Sequence, residues 1–318
     1  MFGVVFKARH RATGQPVAIK TLCNPDHEDE ADEARALLRE ARFLEACAGG
    51  NPSIVGFRGV LRDGLTHELS LVMDYVPGQS LHRLLHSSST LNKTSGLPED
   101  TVRAFMWPLL AGAKRMHACH VVHRDLKPAN IIVGEGGGSV KICDFGVALS
   151  LQEPPPYGVR RGRLFHGEEE ISLLRRIFQV VGAPDDTTWP EFASLPLAAR
   201  VAQVPAEEQS ALRDLFPEET LSKEGFEVLN GLLTCNPDKR LTAAAALKLP
   251  WFAATAAAAN AYSPSPAAAA AAKIDTMTVS VKEEEEEESV EIAAAPSTLR
   301  KTRIVAKRSV PNKKALLL

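Results

Sequence analysis

Hydrophobic and polar positions alternate along the first part of the chain. The runs GVVFKARH and QPVAIKTL are rich in β-branched residues and are separated by the turn-forming sequence ATGQ, a pattern typical of two strands joined by a short loop. Two more such runs, IVGFRGVL and LSLVMDYV, precede a turn at Pro77-Gly78. Between the pairs, EDEADEARALLREARFLEACA spaces its apolar residues three and four positions apart, which predicts one amphipathic helix.

From Leu97 onward the pattern becomes helical. The stretch LPEDTVRAFMWPLLAGAKRMHACHV predicts a long helix that Pro108 should kink or interrupt. Two short apolar runs, at 131–133 and 140–142, flank the glycine-rich GEGGGS and predict a hairpin, and more helices should follow as far as Trp251-Phe252. We therefore expect an α+β fold with a small β-rich lobe at about 1–76 and a larger helical lobe at about 77–252.

The last segment, residues 253–318, has a different composition. It is rich in Ala, Ser and Pro, contains the acidic run Glu283–Glu288, and ends with several lysines and arginines. Such a segment buries too little apolar surface to offset its chain entropy, so we expect it to be disordered or at most transiently helical. Its basic end is either a solvated tail or a patch for nuclear import or an acidic partner.

Overall composition narrows the class of protein. Hydrophobic residues make up 45% of the 318 residues, and the formal net charge is −2, which argues against nucleic acid as the main partner. The five cysteines are scattered and never form a CxxC pair, as expected for reduced thiols. No signal peptide or membrane span is predicted, so we expect an intracellular protein, cytoplasmic or nuclear, without a membrane partner.

Three short motifs carry the candidate chemistry. The stretch 123–130 reads HRDLKPAN, residues 144–146 read DFG, and residues 17–20 read VAIK. Glu40 lies in the apolar stripe of the predicted helix, three residues after Leu37 and four before Leu44. A carboxylate there is costly unless it is paired, so we expect Glu40 to have a partner; the alternative is that Glu40 lies at the edge of the stripe and reaches water.

These motifs, in this order, resemble those of eukaryotic protein kinases, and the lysine two places after Asp125 resembles the serine/threonine type. The resemblance covers about residues 1–252 and implies a two-lobed kinase fold that takes ATP and Mg²⁺ and acts on a protein substrate. It assigns catalytic roles to Asp125 and Lys127 and metal binding to Asn130 and Asp144. It also makes Lys20 of the VAIK run the expected partner of Glu40 in an ion pair. The residues that it implies for ATP binding are Gly3, Val5, Ala18, Lys20, Glu40, Met73, Asp74, Val76 and Ile132.

Two further stretches resemble the cyclin-dependent kinase group. LFHGEEEISLLRRIFQVVGAPDDTTWPEF is similar to its G-helix region, and LLTCNPDKRLTAAAALKLPWF to the end of its domain. A cyclin-like regulator would follow from that resemblance. The predicted helix reads ALLREARF and not PSTAIRE, so its sequence does not support a cyclin partner.

The chain departs from the kinase pattern in two places. At its start, only Gly3 and Val5 match the end of GxGxxGxV, so we expect weakened ATP binding and an open sheet edge. Only 20 residues separate Gly146 from Gly167, and neither APE nor the aspartate-bearing central F-helix appears. We therefore expect a deletion near residue 163 that removes most of the activation segment and the central helix, by splicing, a gene-model error or decay.

The deletion changes what is expected of nearby residues. The remaining segment contains no threonine, so Ser150 and Tyr157 are its only hydroxyl-bearing side chains, and Arg124 lacks an obvious phosphate partner. Arg240 loses the glutamate that partners it in the family, and an unpaired buried arginine is costly. The sequence therefore predicts an ATP-dependent protein serine/threonine kinase, and the alternative is an impaired kinase or pseudokinase that binds nucleotide or a partner.

Overall fold

The computed structural model describes residues 2–23, 30–63, 68–86, 97–152, 168–195, 198, 210–253, 255 and 279–280. These residues divide into two units. The first unit contains the described residues up to Pro77, except 51–54, together with 279–280. The second contains residues 51–54 and the described residues from Gly78 to 255.

The first unit is built on an antiparallel sheet. Its elements are β1 (Phe2–His10), β2 (Pro16–Cys23), α1 (Glu30–Ala48), β3 (Phe57–Arg62) and β4 (Leu69–Asp74). With a two-residue strand β10 (Val279–Ser280), the strand order is β10-β1-β2-β4-β3. The β1–β2 turn is the predicted one, with Gly14 at φ 69°, a conformation that glycine adopts without steric cost.

The alternating pattern of the strands explains how this sheet is packed. Ala8, Val17, Ile19 and Val72 form a buried cluster on one face of the sheet, because successive side chains of a strand point to opposite faces. The helix α1 packs against β3 and β4 and buries apolar side chains that include Leu37 and Leu44, as its periodicity predicts.

The outer edge of β1 has one partner in the described part of the chain. His10 and Arg9 pair with Val279 and Ser280 of β10. Apart from these two residues and a short stretch up to residue 255, the segment predicted to be disordered lies outside the described residues.

The second unit is mostly helical. Its elements are β5 (Gly78–Ser80), α2 (Leu81–His86), α3 (Glu99–Ala118), β6 (Val121–Val122), β7 (Ile131–Gly134), β8 (Val140–Ile142), β9 (Leu149–Ser150), α4 (Glu168–Val181), α5 (Leu212–Leu215), α6 (Lys223–Leu233) and α7 (Ala243–Ala246). Strands β5, β7 and β8 form one small sheet, and β6 pairs with β9. The hairpin β7–β8 is the predicted one. Together, the two units confirm the α+β class.

The long helix α3 differs from its prediction. It continues without interruption through Pro108 and ends at Ala118, before the predicted end. A proline inside a helix removes one backbone hydrogen bond; packing of the following turns, where Leu110, Ala113 and Met116 are buried, offsets that loss. Of the two outcomes predicted at Pro108, a kink or an interruption, the interruption is therefore wrong.

Candidate catalytic and nucleotide-binding residues

The predicted residues of the first unit share one face of its sheet. In the strand register, Val5 lies opposite Lys20 and Ala18 lies opposite Met73. Residues directly opposite in neighbouring strands point to the same face, and residues two apart in one strand do so as well. Gly3, Val5, Ala18, Lys20 and Met73 therefore lie on the same face, which is opposite to that of the Val17 cluster.

Lys20 and Glu40 form the predicted ion pair. The Lys20 Nζ lies 2.8 Å from both Oε1 and Oε2 of Glu40, and the two side chains are only 12% and 3% exposed. The pair explains why a carboxylate occurs in the apolar stripe of α1. It also fixes the lysine amine on the sheet face that carries the other predicted residues.

Asp74 differs from the other predicted residues of this unit. It lies opposite Val17 in the register, so its side chain is on the face opposite to Lys20. Its carboxylate accepts a hydrogen bond from Arg58 Nε. The part of Asp74 that is available to a nucleotide site on the Lys20 face is therefore its backbone. Val76, also predicted for ATP binding, follows β4 and is half-buried.

In the second unit, Asp125 is the centre of a small polar cluster. Lys127 Nζ lies 2.8 Å from Asp125 Oδ2, and Asn130 Nδ2 donates to the same oxygen and to the Asp125 carbonyl, each at 2.9 Å. The hydrogen bond with Asp125 raises the pKa of Lys127 above its ordinary value, so this amine stays protonated. Three of the predicted residues are thus brought together.

The peptide of Cys143 connects this cluster to Asp144. The Cys143 N–H donates to the Asn130 carbonyl at 3.0 Å, and the Cys143 carbonyl accepts from His123 Nε2 at 3.0 Å. Asp144 follows directly, with φ 67°, an uncommon conformation for a residue other than glycine. The segment 123–130 is therefore hydrogen-bonded to the residue that follows β8, directly before Asp144, which is predicted to bind metal. The sequence motifs alone did not indicate this role of Cys143.

His123 is buried within this network, at 2% exposure. Burial lowers its pKa, although the hydrogen bond to Cys143 and the carboxylates of Asp144 and Asp125 act in the opposite direction. Because Nε2 must donate to a carbonyl and Nδ1 accepts from the Asp125 N–H at 3.3 Å, the neutral ring carries its proton on Nε2. Its ring packs edge-on against Phe145, with centroids 5.1 Å apart.

Ile132, the remaining predicted residue of the nucleotide site, lies on β7 opposite Lys141 of β8 and Ser80 of β5. It is half-buried, unlike its neighbours Ile131 and Val133, which are buried. Because successive side chains of a strand point to opposite faces, Ile132 lies on the less buried face of this small sheet.

Arg240 differs from its expectation. It is exposed, and its Nε and Nη2 donate to the carbonyls of Thr234 and Cys235 at 2.8 and 3.0 Å. These carbonyls follow the C-terminal end of α6, where a cation is favoured, so the predicted buried, unpaired arginine is wrong. Arg124 donates to the Val147 carbonyl at 2.6 Å.

The segment around the predicted deletion is described only in part. Ser150, in β9, is buried at 9% exposure, and its Oγ accepts from the Gln152 N–H. A kinase would have to unfold this strand to modify Ser150. Tyr157 and residue 163 lie outside the described residues.

The donors at Asn130 and Asp144 are suited to a hard cation. Because Asn130 directs its amide nitrogen to Asp125, its amide oxygen is the atom that remains for a metal. An amide oxygen and a carboxylate are ligands that Mg²⁺ accepts when phosphate and water supply the others. Within the described residues no cluster of three or more His, Cys, Asp or Glu could hold a metal by itself, and no described helix is long and apolar enough to cross a membrane.

Comparison with known proteins finds one family. The family model described as "Protein kinase domain" matches residues 1–171. The Oryza sativa subsp. japonica protein "Putative cyclin-dependent kinase F-2" is 38% identical over 291 residues, which cover 79% of this chain and 86% of the relative. "Cyclin-dependent kinase G1" of Arabidopsis thaliana is 31% identical over 297 residues, which cover 79% of this chain and 47% of the relative. The chain thus spans about half of the latter's length.

This chain lacks internal positions that the rice relative has. A share of 79% of 318 residues is about 251 residues, whereas the alignment with the rice protein extends over 291. About 40 positions of that relative therefore have no counterpart in this chain. Because they lie within the aligned stretch, the missing positions are internal.

Proposed function

Because the chain belongs to the protein kinase family, and to its serine/threonine type resembling cyclin-dependent kinases, we propose that it transfers the γ-phosphoryl group of Mg-ATP to a hydroxyl of a protein substrate. The observation that supports this most directly is the Asp125 cluster. An amine and an amide each lie within hydrogen-bond distance of the Asp125 carboxylate, and the backbone hydrogen bond from Cys143 to Asn130 connects this cluster to the residue before Asp144.

Each residue of the cluster has a role in this proposal. Asp125 accepts the proton of the attacking hydroxyl, and the protonated Lys127 stabilises charge on the phosphoryl group as it is transferred. Asn130 and Asp144 hold Mg²⁺ through their side-chain oxygens. The bound ion would neutralise charge on the nucleotide phosphates.

The first unit supplies the nucleotide contacts in this proposal. Lys20, oriented by Glu40, contacts the α- and β-phosphates, and Gly3 and Val5 approach the phosphates through the β1 backbone. Ala18, Met73 and Val76 contact the adenine, together with the backbone of Asp74. Ile132, a residue of the second unit, is also assigned to adenine binding in this proposal. A protein is the proposed phosphate acceptor. The names of the relatives make a cyclin a candidate regulator, which the sequence of α1 does not support. We place the activity in the cytoplasm or nucleus.

A second candidate function is nucleotide or partner binding without turnover. It is favoured by the 40 or so internal positions that this chain lacks relative to the rice protein, and by the end of the family match at residue 171. We propose that these positions are missing between Gln152 and Glu168. In the family, that segment contains the activation segment and the central helix, which position the peptide substrate, and catalysis depends strongly on such positioning.

Phosphoryl transfer requires Mg²⁺-dependent nucleotide binding, as does the nucleotide-binding form of the second candidate, and calorimetric titration with ATP can test it. We expect Mg²⁺ to raise the ATP affinity of the wild-type chain and to do so much less for Asp144→Asn. Asp186→Asn, at an exposed aspartate of the second unit, is the matched control and should behave like the wild type. If Mg²⁺ has the same effect on all three proteins, the proposed metal site is wrong.

A further inference from the structure

Arg58 occurs at an irregularity of the sheet. Phe57 and Gly59 of β3 lie opposite Met73 and Val72 of β4, which are consecutive, so Arg58 is the extra residue of a β-bulge. Gly59 has φ 148°, a conformation that a residue with a side chain would rarely adopt. Bulges change the direction in which a side chain points and are frequent next to active sites.

The bulge directs Arg58 to the end of β4. Its Nε donates to Oδ1 of Asp74, and the two side chains are 26% and 32% exposed. Asp74 is the last residue of β4. This charge-assisted hydrogen bond is partly shielded from water, and it restrains Asp74, at which the pairing of β4 ends.

Gly56 holds Asp74 from a second side. The Asp74 N–H donates to the Gly56 carbonyl at 2.8 Å. A Cβ at position 56 would lie 2.1 Å from Asp74 Oδ2 and 2.7 Å from its Cγ. The close approach of the carboxylate, and not an unusual φ, is therefore what requires glycine here.

The residues that follow Asp74 have no strand partner among the described residues. Tyr75 and Val76 connect β4 to Pro77, the last residue of the first unit, and Lys7 Nζ lies 4.8 Å from the centre of the Tyr75 ring. We propose that Arg58 and Asp74, packed over Gly56, form a latch that positions Tyr75 and Val76 and thereby sets the affinity for the adenine base. This inference rests on the proposed function, since the adenine contact at Val76 is part of it.

The competing explanation is an ordinary ion pair that affects stability only. Such partly exposed pairs contribute little to stability, and their loss should not act selectively on the backbone at Asp74. The latch predicts a local effect on the Asp74 amide, from which Tyr75 and Val76 continue, and an effect on base binding that is separate from phosphate binding. Two measurements distinguish these explanations.

The first measurement is amide hydrogen exchange of the full chain without nucleotide. In Arg58→Met, the Asp74 amide, whose N–H donates to the Gly56 carbonyl, should exchange about tenfold faster, because the Asp74 carboxylate loses one hydrogen bond to a charged group. Arg62→Met removes an exposed arginine from the same strand and should leave the Asp74 amide unchanged. Equal exchange in Arg58→Met and the wild type would overturn the latch, whatever happens to nucleotide affinity.

The second measurement is the affinity for adenosine and for Mg-ADP. Arg58→Met should weaken both about equally, whereas Lys20→Met should weaken Mg-ADP more, because only Mg-ADP has phosphates. Gly56→Ala displaces the Asp74 carboxylate without removing either charge and should reproduce the effect of Arg58→Met. Arg58→Lys, which keeps the charge, should recover part of the affinity and remains informative if Arg58→Met fails to fold.

The outcomes separate this inference from the proposed function. Faster exchange with unchanged adenosine and Mg-ADP affinities overturns the role of the latch in base binding. Faster exchange in a chain whose wild type binds neither ligand contradicts the proposed function, and with it the adenine part of this inference, while the restraint of Asp74 by Arg58 stands. Faster exchange with weaker binding of both ligands supports the whole inference.

Discussion

The ion pair of Lys20 with Glu40 is nearly inaccessible to water, so removing one partner leaves the other charged and buried. Replacing Lys20 by Met should therefore lower the free energy of unfolding by about 3 kcal/mol, well above the loss for an exposed pair. Urea denaturation of the two proteins at neutral pH measures the difference.

A double variant tests whether this loss arises from the buried charge. Lys20→Met combined with Glu40→Leu removes both charges and should recover much of the lost stability, because an apolar pair of similar size can replace a buried ion pair. Arg35→Met, which breaks an ion pair with side chains 72% and 58% exposed, should have little effect. If the double variant is no more stable than Lys20→Met, the uncompensated carboxylate is not the cause.

His123 should make stability depend on pH. Its pKa in the folded protein is lowered from the ordinary 6.5 by burial, so between these two values the unfolded chain binds the additional proton. Stability should therefore be complete above about pH 6.5, fall as the pH decreases below it, and level off below the folded pKa. In His123→Gln this part of the decrease should be absent, which denaturation at several pH values can show. Parallel pH profiles of the two proteins would contradict the assignment.

The residue-level predictions succeeded where a local pattern determined the environment. Glu40 was predicted to pair because its spacing placed it within an apolar stripe, and spacing along a helix is visible in sequence. The face occupied by Asp74 was not predictable, because it depends on the register of β2 and β4. The exposure of Arg240 was likewise not predictable, since it depends on how α6 ends.

At the level of the elements, Glu99 joins three segments that are distant in sequence. At the start of α3 its carboxylate accepts hydrogen bonds from Ser222 Oγ and Trp251 Nε1, each at 2.6 Å, and from the Ser222 N–H at 3.0 Å. Ser222 is also the N-cap of α6, where its Oγ accepts from Gly225 N–H. Glu99 therefore holds together α3, α6 and the final turn that contains Trp251.

Glu99→Gln should weaken this junction. Loss of the charge at a multiply hydrogen-bonded carboxylate should lower the free energy of unfolding by about 1–2 kcal/mol. Asp100→Asn changes a neighbouring carboxylate that is 88% exposed and should have little effect. Thermal denaturation of the three proteins compares them. Equal melting temperatures for Glu99→Gln and Asp100→Asn would contradict the role of Glu99.

The same junction should be sensitive to acid. Burial alone would raise the pKa of Glu99, but the hydrogen bonds from Ser222 and Trp251, with Arg103 nearby, outweigh it and lower the pKa below the ordinary 4.5. The contribution of Glu99 to stability is therefore present above about pH 4.5 and is lost as the pH falls through the lowered value. The difference between the wild type and Glu99→Gln should shrink in that range.

The elements that were predicted correctly are those whose apolar residues recur with a regular spacing in the sequence. The pairs β1–β2 and β7–β8 and the helix α1 follow from alternation, turn residues and a 3.6-residue stripe. The continuation of α3 through Pro108 was not predictable, because it depends on packing of the following turns. The Glu99 junction was not predictable either, since its partners are more than a hundred residues away in sequence.

At the level of the whole molecule, an internal gap distinguishes this chain from its relatives. We expect a transcript of the same gene to contain about 40 additional in-frame codons between those for Gln152 and Glu168, matching the unpaired positions of the rice relative. Long-read sequencing of transcripts tests this. If the genomic DNA between the codons for Gln152 and Glu168 contains no exon with the additional codons, the gap is instead fixed in the genome.

Phosphoryl transfer tests the central claim most directly. The full chain and its Asp125→Asn variant would be compared with γ-labelled ATP, Mg²⁺ and a generic basic peptide. Loss of a catalytic base typically slows a reaction by about 10²–10⁴-fold, so we predict labelled peptide with the wild type and at least a hundredfold less with Asp125→Asn. Equal labelling by the two proteins, both still binding Mg-ATP, would contradict catalysis by this chain and favour the binding function.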